Sequence, residues 1–210
     1  MLAEPLTELI DALKRDGQPP HDWILKHAPE GDLHPVWTAC PSATVLLQAH
    51  ARTGDRAALV RAVCACVRRA LQYVPLDEPR PRQAIEAAEA WADGGVDPDA
   101  VLATANAADD AASEASDAAS SAADASSAAA LAAAVVDADG DEEAGERAAQ
   151  ALRYAEDALD HEVVNRLHDL TDIKQERARR DAVFSDVVRA HLRCPTLDRL
   201  LGSRPADDPE

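Results

Sequence analysis

The stretch DAASEASDAASSAADASSAAALAAAVVD, residues 110–137, decides how the chain is read. It holds no lysine, arginine, glycine, proline or aromatic residue. Such a composition suits either a flexible linker of small polar residues or a helix built on alanine, and the order of residues favours the helix. Units of seven run DAASEAS, DAASSAA, DASSAAA and LAAAVVD. Asp110, Asp117 and Asp124 open successive units, and Ser113, Ser120 and Ser127 follow three positions later. On a helix these residues share one stripe. Ala111, Ala115, Ala118, Ala122, Ala125 and Ala129 take a four–three spacing on the opposite side, the seam of a coiled coil made of methyl groups. Alanine is the best helix former. The phase also continues from a well-marked start, with Asp97 as N-cap, Pro98 at the first position and Asp99 in the first turn.

Length limits this helix. Residues 98–135 at ~1.5 Å each would span about 57 Å, whereas a compact domain of this size has a radius of gyration near ~17 Å. The segment must protrude, bend or break, and residues 106–120, where weak helix formers cluster, are the place for it. The acidic turn DADGDEE, centred on Gly140, leads into a second periodic segment with Ala148, Leu152, Ala155 and Leu159 on one side. An antiparallel helix hairpin closed at Gly140 is the simplest architecture.

Outside this hairpin, nearly every periodic segment is helical too. PLTELIDALKRDG and HDWILKHAPEGD form the lead-in, PSATVLLQAHARTG stops at Gly54, and DRAALVRAVCACVRRALQYVP starts from Asp55 as N-cap. DEPRPRQAIEAAEAWADGG enters through Pro79 and Pro81 and ends at Gly94-Gly95. No segment alternates as a strand does. The expected fold is all-α, a multi-helix bundle or array with a long Ala-rich antiparallel hairpin. Residues 1–95 form an N-terminal helical region, 96–195 the long helices packed on it as one globular unit, and 196–210 a flexible tail.

Composition narrows the function classes. Of 210 residues, 47% are hydrophobic but only 3% aromatic, and alanine supplies nearly half of the hydrophobic count. The core must be thin. A net charge of −18 argues against direct binding to nucleic acid or an anionic membrane. It favours a basic protein partner. No lysine or arginine lies between Arg82 and Arg147. Basic residues gather at Arg61, Arg68, Arg69, Arg80 and Arg82 and again across 174–193. No apolar run reaches the ~20 residues of a membrane span, and the acidic N-terminus is unlike a signal peptide, so a cytoplasmic location is expected.

The four cysteines, Cys40, Cys64, Cys66 and Cys194, have no C-x-x-C spacing and are expected to be reduced and buried. His191 and Cys194 lack a second ligand pair, and Asp109 and Asp110 with Glu114 would be a poor cation cage. No metal and no cofactor are expected. Neither a nucleophile elbow, a phosphate loop nor a zinc-protease motif occurs, so the chain is read as a non-enzyme.

The run CACVRRALQYVPLDEPRPRQAIEAAEAWADGG, residues 64–95, carries the phrase R-P-R-x-A-I-E-x-A-x-x-W-A-x-G after a V-P-x-x-E turn. Together with the Ala-rich segment that follows, over residues 36–135, it resembles the fifth family of predicted all-helical immunity proteins from bacterial polymorphic toxin systems, with relatives in phage and bacterial genomes. The resemblance implies a protein that neutralises a cognate toxin.

In the phrase itself, Ile85, Glu86 and Trp91 read as scaffold, with Trp91 a large anchor and Arg82–Glu86 an i,i+4 pair. Arg80 and Arg82 suit either pinning of the turn or partner contact. The acids Asp109, Asp110, Glu114, Asp117 and Asp124 would present an acidic face to a basic-surfaced toxin. The alternatives are a structural or assembly protein self-associating as a homo-oligomer through the alanine seam, and a surface-binding protein with a flat alanine face.

Overall fold

The computed structural model describes residues 32, 34–115, 120–166 and 170–195. The two expected lead-in helices, the expected tail, and Asp117 and Ala118 lie outside the described residues. Among the described residues there are eight α-helices and no strand: α1 (His34–Ala39), α2 (Ala43–Ala51), α3 (Arg56–Val67), α4 (Arg80–Ala92), α5 (Pro98–Ala115), α6 (Ser120–Ala134), α7 (Asp141–Arg166) and α8 (Leu170–His191). The fold is all-α, as the periodicity predicts.

The boundaries follow local chemistry. Ser42 caps α2 by accepting from the Val45 N–H at 3.4 Å, and Asp55 caps α3 by accepting from the Ala58 N–H at 3.1 Å. The expected Asp97 cap also forms, its carboxylate 3.0 Å from the Ala100 N–H. At the end of α4, Gly94 takes φ +78. Its N–H bonds the Trp91 carbonyl at 2.8 Å while Gly95 bonds Ala90 at 2.8 Å. This pair of bonds is a Schellman stop, which favours glycine at the left-handed position. The segment from Asp55 to Tyr73 is shorter as a helix than its pattern suggests. α3 ends at Val67, and a separate 3₁₀ turn at Leu71–Tyr73 follows.

The alanine segment does not run as one rod. It is two helices, α5 and α6, in extensive contact and only four residues apart in sequence, so they run antiparallel. Breaking inside 106–120 lets a 57 Å rod fit a compact body. The hairpin expected at Gly140 forms as well. Arg147 of α7 reaches the Ala134 carbonyl at the end of α6, and His161 reaches Asp124 near its start, a pairing that fixes α6 and α7 as antiparallel. α6 is thus sandwiched between α5 and α7, with α4 and α3 across it. Ala122, Ala125, Ala128, Ala129, Ala132 and Ala133 are buried. The buried Ser126 hydroxyl donates to the Ala122 carbonyl at 2.8 Å and needs no other partner.

The larger side chains sit one layer away, on α2 and α3. Leu46, Leu47, Leu59, Val60, Val63 and Val67 are fully buried. Phe184 and Val188 of α8 close this layer from outside, and Ile85 of α4 joins it. Trp91, the expected aromatic anchor, is only half-buried at the edge of the core. Among the described residues the buried tryptophan is Trp37, tilted against His50 with ring centroids 6.5 Å apart. Cys40, Cys64 and Cys66 are buried and unpaired, and Cys194 is half-buried. Burial pushes the Cys66 thiol up to about 12, so it stays protonated.

Alanine at the centre sets a steric limit. Ala129 is fully buried and Ser120 is exposed. Ala129→Leu is expected to lower stability by about 1–3 kcal/mol through overpacking, while Ser120→Leu leaves it nearly unchanged. Urea unfolding of both variants checks the pair; equal tolerance would mean that α6 is not the packed centre.

Candidate partner-binding surface

Three connections meet at one end of the bundle, those joining α2 to α3, α4 to α5, and α6 to α7. Each feeds a helix N-terminus, whose unpaired N–H groups and partial positive charge favour carboxylates. Asp55, Asp97 and Asp99, and the Asp141, Glu142 and Glu143 run occupy these first turns. Glu143 reaches back to accept from the Asp139 N–H at 2.8 Å, which, with Arg147, holds its carboxyl below the usual range. The same end carries the C-termini of α4 and α6, and neither helix has a basic residue in its last turn. Arginines from neighbouring helices supply the missing donors. Arg61 of α3 bonds the Ala92 carbonyl and Asp93, Arg147 bonds Ala134, and Arg56 bonds Ala138.

At the other end, Arg80 is held by two carboxylates. It makes a two-pronged contact with Glu78, at 2.7 and 2.5 Å, and a second with Glu114 of α5, at 3.2 and 2.6 Å. Both carboxyls are pushed below their ordinary range by this guanidinium. Arg80 therefore ties the entry of α4 to the end of α5. Arg82 is exposed, and the expected Arg82–Glu86 pair does not form among the described residues. Glu86 sits instead in the field of Arg68, which grips Glu89 two-pronged at 2.8 and 2.5 Å.

The acids that sequence puts on one stripe separate here, because α5 and α6 are different helices. Asp109 and Asp110 are exposed on α5 and engage no cation among the described residues. Glu114 belongs to the Arg80 clamp. Asp124 is half-buried, 3.0 Å from His161; burial raises its pKa and the histidine opposes the rise. Sequence reasoning missed the acidic connections because their residues lie far apart in the chain and share a surface only once three hairpins align. It also missed Glu156 on α7. Burial, aided by Asp181, pushes Glu156 up to about 7, with Arg180 opposing.

Among the described residues no group of three or more His, Cys, Asp or Glu could hold a metal ion, and no helix is long and apolar enough to cross a membrane. Large apolar side chains are exposed at two of the described positions, Leu76 and Val183.

These carboxylates have opposite linkage to pH. Glu78 and Glu114, with depressed values, stabilise the fold above the ordinary carboxylate pKa, and that stability is lost as pH falls through their folded values. Glu156 is raised, so the fold favours its protonated form. Its penalty is absent below the ordinary value and grows as pH rises towards about 7. Glu156→Gln is expected to raise the melting temperature at about pH 8 and to leave it unchanged near pH 4. Arg80→Ala is expected to lower it at neutral pH, whereas Arg82→Ala does not. Calorimetry of the three variants across this range tests each sign.

A family model described as "Imm-5 like putative immunity protein" matches residues 49–186. The match runs beyond the R-P-R phrase and the Ala-rich segment to take in α7 and most of α8. A search of curated proteins and a search of solved structures each give no match. With the model covering about two thirds of a chain whose fold is all-α, this protein belongs to the Imm-5 like family of immunity proteins.

Proposed function

We propose that this chain is a non-catalytic inhibitor that binds a cognate toxin in the cytoplasm and blocks it through an acidic helical surface. One observation carries the proposal: Asp109 and Asp110 stand exposed on α5 without a cationic partner among the described residues, inside a stretch where residues 83–146 contain no lysine or arginine. Family membership supports a protein partner. A basic-surfaced toxin would be drawn to such a face by long-range attraction, which raises association rates before any contact forms.

Glu114 contributes charge at the border of this face while its geometry is fixed by Arg80, so both act chiefly as support. Asp124 would contribute only after releasing His161. Asp117 keeps its place in the proposed surface. The exposed acids of the three connections extend the same potential to the far end of the bundle. Self-association through the alanine seam is the weaker reading, because the flanks of α6 are already covered by α5 and α7 of the same chain.

The test uses a toxin captured by the full-length protein from its native host. Asp109→Lys together with Asp110→Lys is expected to slow association at low salt by about tenfold or more. The loss should fade as added salt shortens the Debye length from ~8 Å at physiological strength. Co-expression should then protect poorly against the toxin, with the melting temperature unchanged. An unaltered on-rate in the folded double variant would remove the acidic face as the interface while leaving toxin binding itself intact.

A further inference from the structure

We propose that the cleft between α7 and α8 binds a small amphipathic carboxylate, a single carboxyl group on a compact apolar body. The cleft has a volume of about 260 Å³. Its apolar floor is formed by the buried Phe184 with Leu159 and Val183, the last of these 39% exposed. Its rim is cationic, with Arg69 from the connection after α3 and Arg179 and Arg180 from α8. Water over an apolar floor of this kind is readily displaced by an apolar group.

The three arginines are differently engaged. Arg180 is bound to Asp160 and donates to the Glu156 carbonyl. Arg179 shares Glu176 at 3.5 Å. Arg69 is exposed and has no carboxylate within ion-pair distance among the described residues. Arg69 is thus a lining cation with no carboxylate engaged among the described residues, and it stands beside an apolar surface. A carboxylate can take the planar donor fork of a guanidinium with two parallel hydrogen bonds.

Three features define the ligand class. Glu176 in the wall repels a second negative charge, so a monoanion fits better than a phosphate dianion. The floor requires an apolar body, which excludes a bare inorganic anion. The volume lies below the ~300–1,000 Å³ of sites for drug-sized molecules, so a branched or cyclic acid of a few carbons fits and a nucleotide does not. The walls come from α7, α8 and the connection after α3, none from α5, so this site stands apart from the proposed toxin-binding face and does not depend on it.

The probe is 4-methylpentanoate, titrated into the full-length protein and followed by two-dimensional NMR. Saturable millimolar binding that moves the methyl resonances of Leu159 and Val183 is expected. The matching alcohol, 4-methylpentan-1-ol, and inorganic phosphate should not saturate. Arg69→Gln, at an exposed position, should weaken binding about tenfold through loss of the charge-assisted bond, with its melting curve unchanged. A free-acid peptide ending in leucine, alanyl-alanyl-leucine, separates the sources. Tighter binding than 4-methylpentanoate would identify a polypeptide C-terminus as the natural ligand, and weaker binding a free organic acid. Absence of saturation, equal binding of the alcohol, equal binding of phosphate, or full affinity in Arg69→Gln would each overturn the proposal.

Discussion

The contact that organises this protein is the one between the methyl-lined flanks of α6 and the two helices that sandwich it, α5 and α7. Burying an alanine gains little, about one methyl group's worth at ~0.8 kcal/mol per carbon, against ~1.5–3 kcal/mol for a leucine or valine. It also loses no rotamer freedom, whereas a leucine gives up ~0.5–1 kcal/mol. Alanine thus favours the helix itself and lets neighbouring backbones come close, at the short end of the ~8–10 Å usual between packed helices. Close approach is visible elsewhere too. Gly145 of α7 lies so near α2 that an added Cβ would stand 3.0 Å from that of Ala51. Bulk is supplied by the adjoining layer of leucine, valine and phenylalanine on α2, α3 and α8.

A helix made of alanine, serine and aspartate cannot complete its own C-terminus, and from this the electrostatics follow. Arg147 reaches from α7 to the last carbonyl of α6 and Arg56 from α3 to the Ala138 carbonyl just beyond it, and Arg61 bonds the last carbonyl of α4. Arg56, Arg61 and Arg147 are thus engaged at helix ends, and Arg68 and Arg80 in two-pronged clamps, so these arginines offer little free positive charge at the surface. The acids of the N-terminal turns stay exposed. The acidity of this immunity-family member is therefore partly a by-product of helix capping. In the proposed binding mode, a partner-directed role falls to the acids with no capping duty, Asp109 and Asp110 above all.

Much of the fold was legible in the sequence because its signals are local. Caps at Asp55 and Asp97, the glycine stop at Gly94 and the turn at Gly140 depend on neighbouring residues, and each marks a boundary in the structure. The heptad repeat revealed the helix and its buried side, and the length argument required the break. Long-range partners were not legible. Nothing near Arg80 in sequence names Glu114, 34 residues away, and nothing near Asp124 names His161, 37 away. A stripe drawn on a continuous helix loses meaning once that helix folds back, and so the acidic residues divided into exposed and engaged groups. Trp91 shows the same limit, since aromatic size alone does not say that the core encloses Trp37 and leaves Trp91 at its edge.

The closure of α1 and α2 by α8 has a temporal side. The Ser185 hydroxyl donates to the Pro41 carbonyl, 144 residues earlier, and Arg189 reaches the Cys40 carbonyl beside it. A ribosome adding ~5–20 residues per second needs roughly 7–30 s to make that span. Throughout that interval the part of α1 and α2 that α8 covers stays open, although α3 and α7, made earlier, can already pack on α2. The nascent chain must stay soluble by other means, and its dense negative charge, which keeps unfinished chains apart by mutual repulsion, is well suited to that task.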